Sequence, residues 1–410
     1  MKILYVSCVC SLPTFSALFP DADKMPGQQA QKYHRMLAEG LACHTNVHTV
    51  SNYPVSRSNC RALYLRAGSD TVRNVQYGYL SACNIPVLKN IWNFMQSFSR
   101  IWKVGKAGPQ TAVICDILNI SVSMGALLAA KLRGIPTVGI VTDVPAYRPK
   151  TTNSFVVKIN TTLMNAFDSY VLLTKAMTEV VDCSGKPYKV IEGQVDIHMD
   201  TVPNLLSKKY EKKVCLYAGG LHRIYGIPYL VQAFIKADVP NTELHIYGSG
   251  DYREELTALC RQHPSIRYFG VKPNAEVVEA ELKATLLINP RPTTDAYTKY
   301  SFPSKNMEYM VSGTPLLTTK LPGMPAEYYK YVYLIDEETV TGLSNKLTRI
   351  LSKPPEELHA FGAKAREFVL REKNNVRQAQ QIIDLIKECF RGKKKNSVCL
   401  LQYDCRRKHD

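Results

Sequence analysis

Along the first half of the chain, apolar runs of strand length alternate with stretches of helical apolar spacing. The runs fall at residues 3–9, 47–51, 112–116, 137–142 and 169–173. The helical stretches include 28–41, which follows Pro26-Gly27, and 123–132, which ends before Gly134-Ile135-Pro136. Strands separated by amphipathic helices predict right-handed βαβ crossovers and a largely parallel sheet. The alternation then starts again. Strands are expected at 213–218, 243–248, 266–270, 284–290 and 314–319, with helices near 227–236, 252–262, 275–280 and 305–311. Between the two series lies the polar stretch 200–213, whose Lys208-Lys209-Tyr210-Glu211-Lys212-Lys213 cluster reads as a solvated linker. Residues 355–387 are almost continuously compatible with helix, and a basic run, Arg391-Gly392-Lys393-Lys394-Lys395, follows.

This pattern predicts an α/β protein with two Rossmann-like, doubly wound domains facing across a cleft. The 410 residues exceed what one hydrophobic core usually supports, which agrees with two domains. The expected boundaries are 1–195 for the first domain, 196–372 for the second, 373–392 for a C-terminal helix packing back on the first, and 393–410 for a basic tail. Ligands of such sheets bind beyond the carboxyl ends of the strands, so the cleft is the expected site.

Composition adds a charge argument. The 45% hydrophobic and 21% charged residues are those of an ordinary globular protein, whereas the net charge of +17 favours an anionic partner. A nucleotide sugar, a lipid diphosphate, an anionic membrane face and nucleic acid all satisfy it, and no recognised nucleic-acid module is present. The N-terminal apolar run is short and reads as a buried strand rather than a signal peptide. The longest apolar region, 124–141, is broken by Lys131, Arg133 and Pro136, which argues against a bilayer span. Twelve irregularly spaced cysteines without an export signal point to reduced thiols in a cytoplasmic chain, and no Cys-x-x-Cys pair suggests a metal.

The candidate chemistry is concentrated in the second series. Tyr300-Ser301-Phe302-Pro303-Ser304-Lys305-Asn306-Met307-Glu308 joins a Pro-Ser-Lys loop to a helix, and Gly313-Thr314-Pro315 turns that helix into a buried strand. A helix start of this kind holds phosphate, and Glu308, roughly one turn inside, reaches a neighbouring hydroxyl. Upstream, Ala218-Gly219-Gly220-Leu221-His222-Arg223 is a strand followed by a glycine turn. There, backbone amides can approach phosphate and Arg223 can add a charged fork, although such turns also occur for purely structural reasons. Tyr247-Gly248-Ser249-Gly250 and Phe269-Gly270-Val271 end two more strands. The first is as compatible with a structural turn as with a ligand contact, and backbone around Val271 is placed to read a base edge or simply to end a strand.

In order and spacing these segments resemble the C-terminal half of family 4 retaining glycosyltransferases of the GT-B fold, over about 170 residues, and bacterial polysaccharide-biosynthesis members in particular. The resemblance implies transfer of a sugar from a UDP- or GDP-linked donor to a glycan or lipid-linked hydroxyl, by a hexosyltransferase-type enzyme acting in cell-surface or exopolysaccharide synthesis. It implies no metal or other cofactor. The implied donor-binding residues are Gly219, Gly220, Arg223, Gly248, Val271, Ser304, Lys305 and Glu308. Glu308 matches the second acid of the family's Glu-x7-Glu motif, which usually binds ribose hydroxyls. The first acid is replaced by Tyr300, and the usual phosphate cations of the glycine turn by Gly220 and Tyr225; Arg223 or Lys305 is expected to compensate. On the acceptor side, the resemblance points to Gly27, Gln28 and His34 at the first long helix. Asp143, ending a strand before Pro145, is a further catalytic candidate that also suits a turn. Gly193 is a candidate hinge. The expected location is cytoplasmic, with peripheral contact on an anionic membrane face. Two alternatives stay open: a non-catalytic nucleotide-sugar-binding protein, and an epimerase or hydrolase on the same fold.

Overall fold

A computed structural model describes the chain except residues 21–24, 27, 105–109, 145–153 and 407–410, and it leaves side chains 154–156 and 392–406 undescribed. The chain divides into two compact units, Met1–Glu192 with Asn375–Asp410, and Gly193–Asn374.

The first unit is built from β1 (Lys2–Ser7), α1 (Leu12–Leu18), α2 (Gln28–Ala42), β2 (Asn46–Ser51), β3 (Tyr64–Leu65), β4 (Gly68–Val72), β5 (Val75–Tyr79), β6 (Ala82–Cys83), α3 (Leu88–Val104), β7 (Thr111–Asp116), α4 (Ile120–Leu132), β8 (Thr137–Val141), α5 (Ser154–Met164), β9 (Ser169–Leu172) and β10 (Tyr188–Val190). Its eight-stranded sheet has the order β10-β9-β8-β7-β1-β2-β5-β4. Every pairing is parallel except the β4–β5 hairpin, which the alternating pattern did not predict. That hairpin turns at Arg73-Asn74, both with positive φ, a conformation that asparagine tolerates but for which arginine has no special aptitude. β1 and β7 are buried on both faces, as central strands of a covered parallel sheet must be.

The second unit contains β11 (Lys213–Ala218), α6 (Ile227–Ala237), β12 (Thr242–Tyr247), α7 (Arg253–Gln262), β13 (Ile266–Tyr268), α8 (Asn274–Lys283), β14 (Leu286–Asn289), α9 (Ser304–Ser312), β15 (Leu316–Thr319), β16 (Tyr333–Ile335), α10 (Val340–Leu351) and α11 (Pro355–Glu372). Its six parallel strands have the order β13-β12-β11-β14-β15-β16, that of a doubly wound dinucleotide-type sheet. The polar stretch around Lys209 is not simply solvated: the Lys209 ammonium donates to the Leu282 and Ala284 carbonyls and to Thr314 Oγ1, at 2.8–2.9 Å. These bonds tie the start of the unit to the α8–β14 and α9–β15 turns.

The chain ends in α12 (Asn375–Arg406), which lies in the first unit. Ala379, Ile382, Ile383 and Ile386 enter that unit's core, and the Asn375 side-chain amide donates to Met36 O on α2 at 3.0 Å. The helix runs through most of the stretch expected to be a basic tail.

Candidate functional site

In the second unit the strand order reverses between β11 and β14, so the crevice beyond their carboxyl ends is the place where such a sheet takes a ligand. Two chain exits meet there: Gly219-Gly220 after β11, and Pro290-Arg291-Pro292 after β14. Gly219 has φ +155°, and a Cβ on it would overlap the ammonium of Lys305, so glycine is what allows α9 to lay that cation over the turn. Gly248 (φ +121°) faces the backbone of Gly219 in the same way, and a Cβ there would collide with the Gly219 carbonyl. Its contribution is close backbone packing, while Gly220 O accepts from Tyr217 Oη at 2.8 Å.

Lys305 is the second residue of α9. Its ammonium lies 5.0 Å from the Tyr217 ring centre and 3.4 Å from Tyr217 Oη. Burial, and then the nearby Arg291 guanidinium, bring its pKa down to about 8, against the opposing pull of Glu308. Arg291 is held between aromatic rings, 4.8 Å from Tyr225 and 5.8 Å from Tyr297, and donates to Ser301 Oγ at 3.2 Å. Neither cation is ion-paired with a carboxylate among the described residues. Arg291 Nε and Tyr297 Oη are both buried and without hydrogen-bond partners. Buried polar atoms normally find partners, so two orphans beside two mutually repelling cations mark a place for an anion with several acceptor oxygens.

The start of α9 adds to this field. Ser304 is its exposed first residue, Pro303 before it has no N–H to offer, and, with Asn306 N already donating to Pro303 O at 2.9 Å, the amides of Ser304 and Lys305 are those without intrahelical acceptors. Glu308, three residues beyond Lys305, is half-buried on the same side of the helix. Tyr300 ends a short 3-10 turn, Ala296–Tyr300, and is buried, with the Lys299 ammonium 5.8 Å from its ring.

Other residues singled out from the sequence lie apart from this cluster. Arg223 is exposed; its guanidinium pairs with Glu255 at 2.5 Å and lies 5.2 Å from the Tyr252 ring, on the α7 side. Val271 is exposed beyond β13. In the first unit, Gln28 is exposed at the start of α2, and Gly27 falls outside the described residues. His34, by contrast, is buried: Nδ1 faces Tyr5 Oη at 2.7 Å and Nε2 faces Asp116 Oδ2 at 3.3 Å. Asp143 is half-buried just after β8.

Arg291, Tyr297, and Tyr5 and Asp116, the partners of His34, were not singled out from the sequence. Arg291 had a usable signal, since it follows an expected strand in Asn-Pro-Arg-Pro, at the carboxyl end where the reversal occurs.

Residues 200–368 match the family model of glycosyl transferases group 1. No curated protein matches the chain by sequence. Among solved structures, the sucrose-phosphate synthase of Thermosynechococcus elongatus superposes with a TM-score of 0.65 at 16% identity, covering 96% of this chain and 100% of that one. HepE of Anabaena, solved in complex with UDP, gives 0.62 at 13% identity, with 95% and 100% covered. The lipopolysaccharide outer core galactosyltransferase WaaB gives 0.60 at 15%, with 95% and 99% covered. The chain therefore has the GT-B glycosyltransferase fold, and its group 1 glycosyl transferase match lies within the second unit, around the Arg291–Lys305 crevice.

Proposed function

We propose that this protein is a glycosyltransferase that takes a sugar from a nucleoside diphosphate donor. The observation that carries the reading is the pair of unneutralised cations, Arg291 and Lys305, converging where the second unit's strand order reverses, beside the start of α9. A diphosphate supplies the negative charge and the acceptor oxygens that Arg291 Nε and Tyr297 Oη lack. Arg291 and Lys305 then take over the role of the cations missing from the glycine turn. As negative charge builds on the departing diphosphate, fixed donors in a dehydrated crevice stabilise it more than water does. In this reading Glu308, one turn into α9, accepts from the ribose hydroxyls.

The finer reading follows the same line: a UDP- or GDP-linked hexose, transferred with retention to a glycan or lipid-linked hydroxyl in surface polysaccharide synthesis, by a cytoplasmic family 4 enzyme. The UDP bound in HepE supports UDP as the first donor to try. In this reading the first-turn amides of α9 and the Arg291 and Lys305 cations take up the negative charge of the departing diphosphate, the task a metal performs elsewhere. The test is thermal stabilisation by UDP, GDP and their hexose derivatives, followed by turnover with the stabilising donor. The expected result is stabilisation by one nucleotide that Glu308→Ala weakens. Absence of stabilisation by every nucleotide would sink the donor site, and donor breakdown that ignores added acceptors would favour the hydrolase reading.

A further inference from the structure

Helix α3 is turned inside out. Its apolar side chains recur on one face, and an amphipathic helix on a globular core ordinarily buries that face. Here the buried positions are Asn93 (2% exposed), Ser97 and Ile101. Leu88, Ile91, Trp92, Met95 (59% exposed) and Trp102 face solvent instead. The reason lies in the packing partner. Gly125 of α4 sits against Phe94 O and Ser97 Oγ so closely that a Cβ would overlap both, and only small side chains fit the contact. Arg133, just past α4, donates to Trp102 O at 3.0 Å, so the two helices run side by side in the same direction. α4 contributes its own outward stripe, Met124, Leu128 and Leu132 (62% exposed). An apolar surface of this extent on a soluble domain marks an interaction site.

Charge selects the occupant. Residues 41–142 contain ten lysines and arginines against two carboxylates, Asp70 and Asp116, and Asp116 is buried in the His34 relay. Exposed Arg57, Arg61 and Arg66 lie in a loop that also exposes Leu63 and Tyr64. The loop is tied to the start of α3 through Asn84, whose side-chain amide donates to Cys60 O at 3.0 Å and whose N–H donates to Leu63 O at 2.8 Å. At the other end, Arg100 and Lys103 are exposed, and the Arg133 guanidinium lies 4.0 Å from the Trp102 ring. An apolar stripe with tryptophans near both ends and cations around it suits a helix lying in the plane of an anionic bilayer surface. A second copy of the chain would bring the same positive field against itself. No described helix is long and apolar enough to cross a membrane, so the contact is one of lying on the surface.

We infer that the α3–α4 face of the first unit docks on an anionic lipid surface, with the apolar stripe among the acyl chains and the flanking arginines and lysines at the headgroups.

Trp92 and Trp102 are the two tryptophans of the chain, so intrinsic fluorescence reads this face directly. Full-length protein is floated with phosphatidylcholine vesicles with and without phosphatidylglycerol. The expected result is binding that requires phosphatidylglycerol and weakens with salt, with a blue-shifted emission quenched by brominated acyl chains. Met95→Glu and Ile91→Glu, both at exposed positions and checked for unchanged melting, are expected to lower partition by at least about tenfold each. Three outcomes overturn the inference: no vesicle binding; binding that both variants retain, which would place it elsewhere, such as the C-terminal basic run; or a wild-type dimer that the variants dissociate, which would make the face a contact between copies.

Discussion

The two units carry related arrangements at the same place in their sheets, and they finish them in opposite ways. Each has a buried tyrosine on the strand beside the reversal, Tyr5 on β1 and Tyr217 on β11, with polar residues gathered around it. In the first unit the group closes on itself: Tyr5 meets His34, His34 meets Asp116, and Asp116 Oδ1 also accepts from Leu118 N at 3.0 Å. In the second unit Tyr217 turns to Gly220 O, and the cations above it, Arg291 and Lys305, find rings and hydroxyls but, among the described residues, no carboxylate in an ion pair. A closed polar cluster holds a fold together. An open one, with like charges side by side, is a cost to the empty protein that an anionic ligand relieves.

The sharpest break of this comparison removes both cations. Arg291→Ala combined with Lys305→Ala is expected to lower UDP affinity by at least about a hundredfold, since each charge-assisted contact is worth about 1.5–3 kcal/mol, while folding is preserved. Calorimetric titration checks it, and binding within tenfold of wild type would mean the anion site lies elsewhere. His34→Ala should do the reverse. It leaves the Asp116 carboxylate and the Tyr5 hydroxyl buried without their shared partner, at a cost of about 3 kcal/mol in denaturant unfolding, with UDP affinity unchanged. A large affinity loss without destabilisation would move His34 from scaffold to binding.

The smallest effect expected is a pH dependence. With its folded-state pKa brought down to about 8, Lys305 has released its proton in the folded protein at pH values where the unfolded chain still holds one. Folding stability from this group is therefore lowest below pH 8 and rises from there toward the ordinary lysine pKa. Nucleotide binding moves the other way, because it needs the ammonium, so affinity falls as pH rises past about 8. Lys305→Arg should flatten both trends, and a wild-type affinity constant up to pH 9.5, about 1.5 units beyond that pKa, would deny Lys305 the charge role.

Much of the second unit was open to reading along the chain. Alternation of strand and helix patterns located its strands, and the Pro-Ser-Lys loop pointed to Lys305 and Glu308 because helix starts and anions go together for local reasons. Arg223 looked as good a cation as any by the same logic. Its capture by Glu255, 32 residues away, joins the turn before α6 to α7, a contact that spacing does not reveal. Arg291 was passed over because its importance comes from strand order, which depends on how β14 is placed beside β11.

The sequence by itself determined the periodicities: two runs of strand and helix, a positive balance, glycines where the backbone must turn tightly, and an apolar stripe on α3. These are local consequences of side-chain size, charge and repeat. Tertiary structure alone decided what each feature faces. It turned the α3 stripe outward because Gly125 and Ser97 pack too closely for larger side chains, closed His34 between Tyr5 and Asp116, and left Arg291 and Lys305 together with no ion pair to a carboxylate among the described residues. The direction in which a helix presents its faces, and the neighbours a charge meets, are set by contacts distant in sequence, and for those a local pattern carries no register.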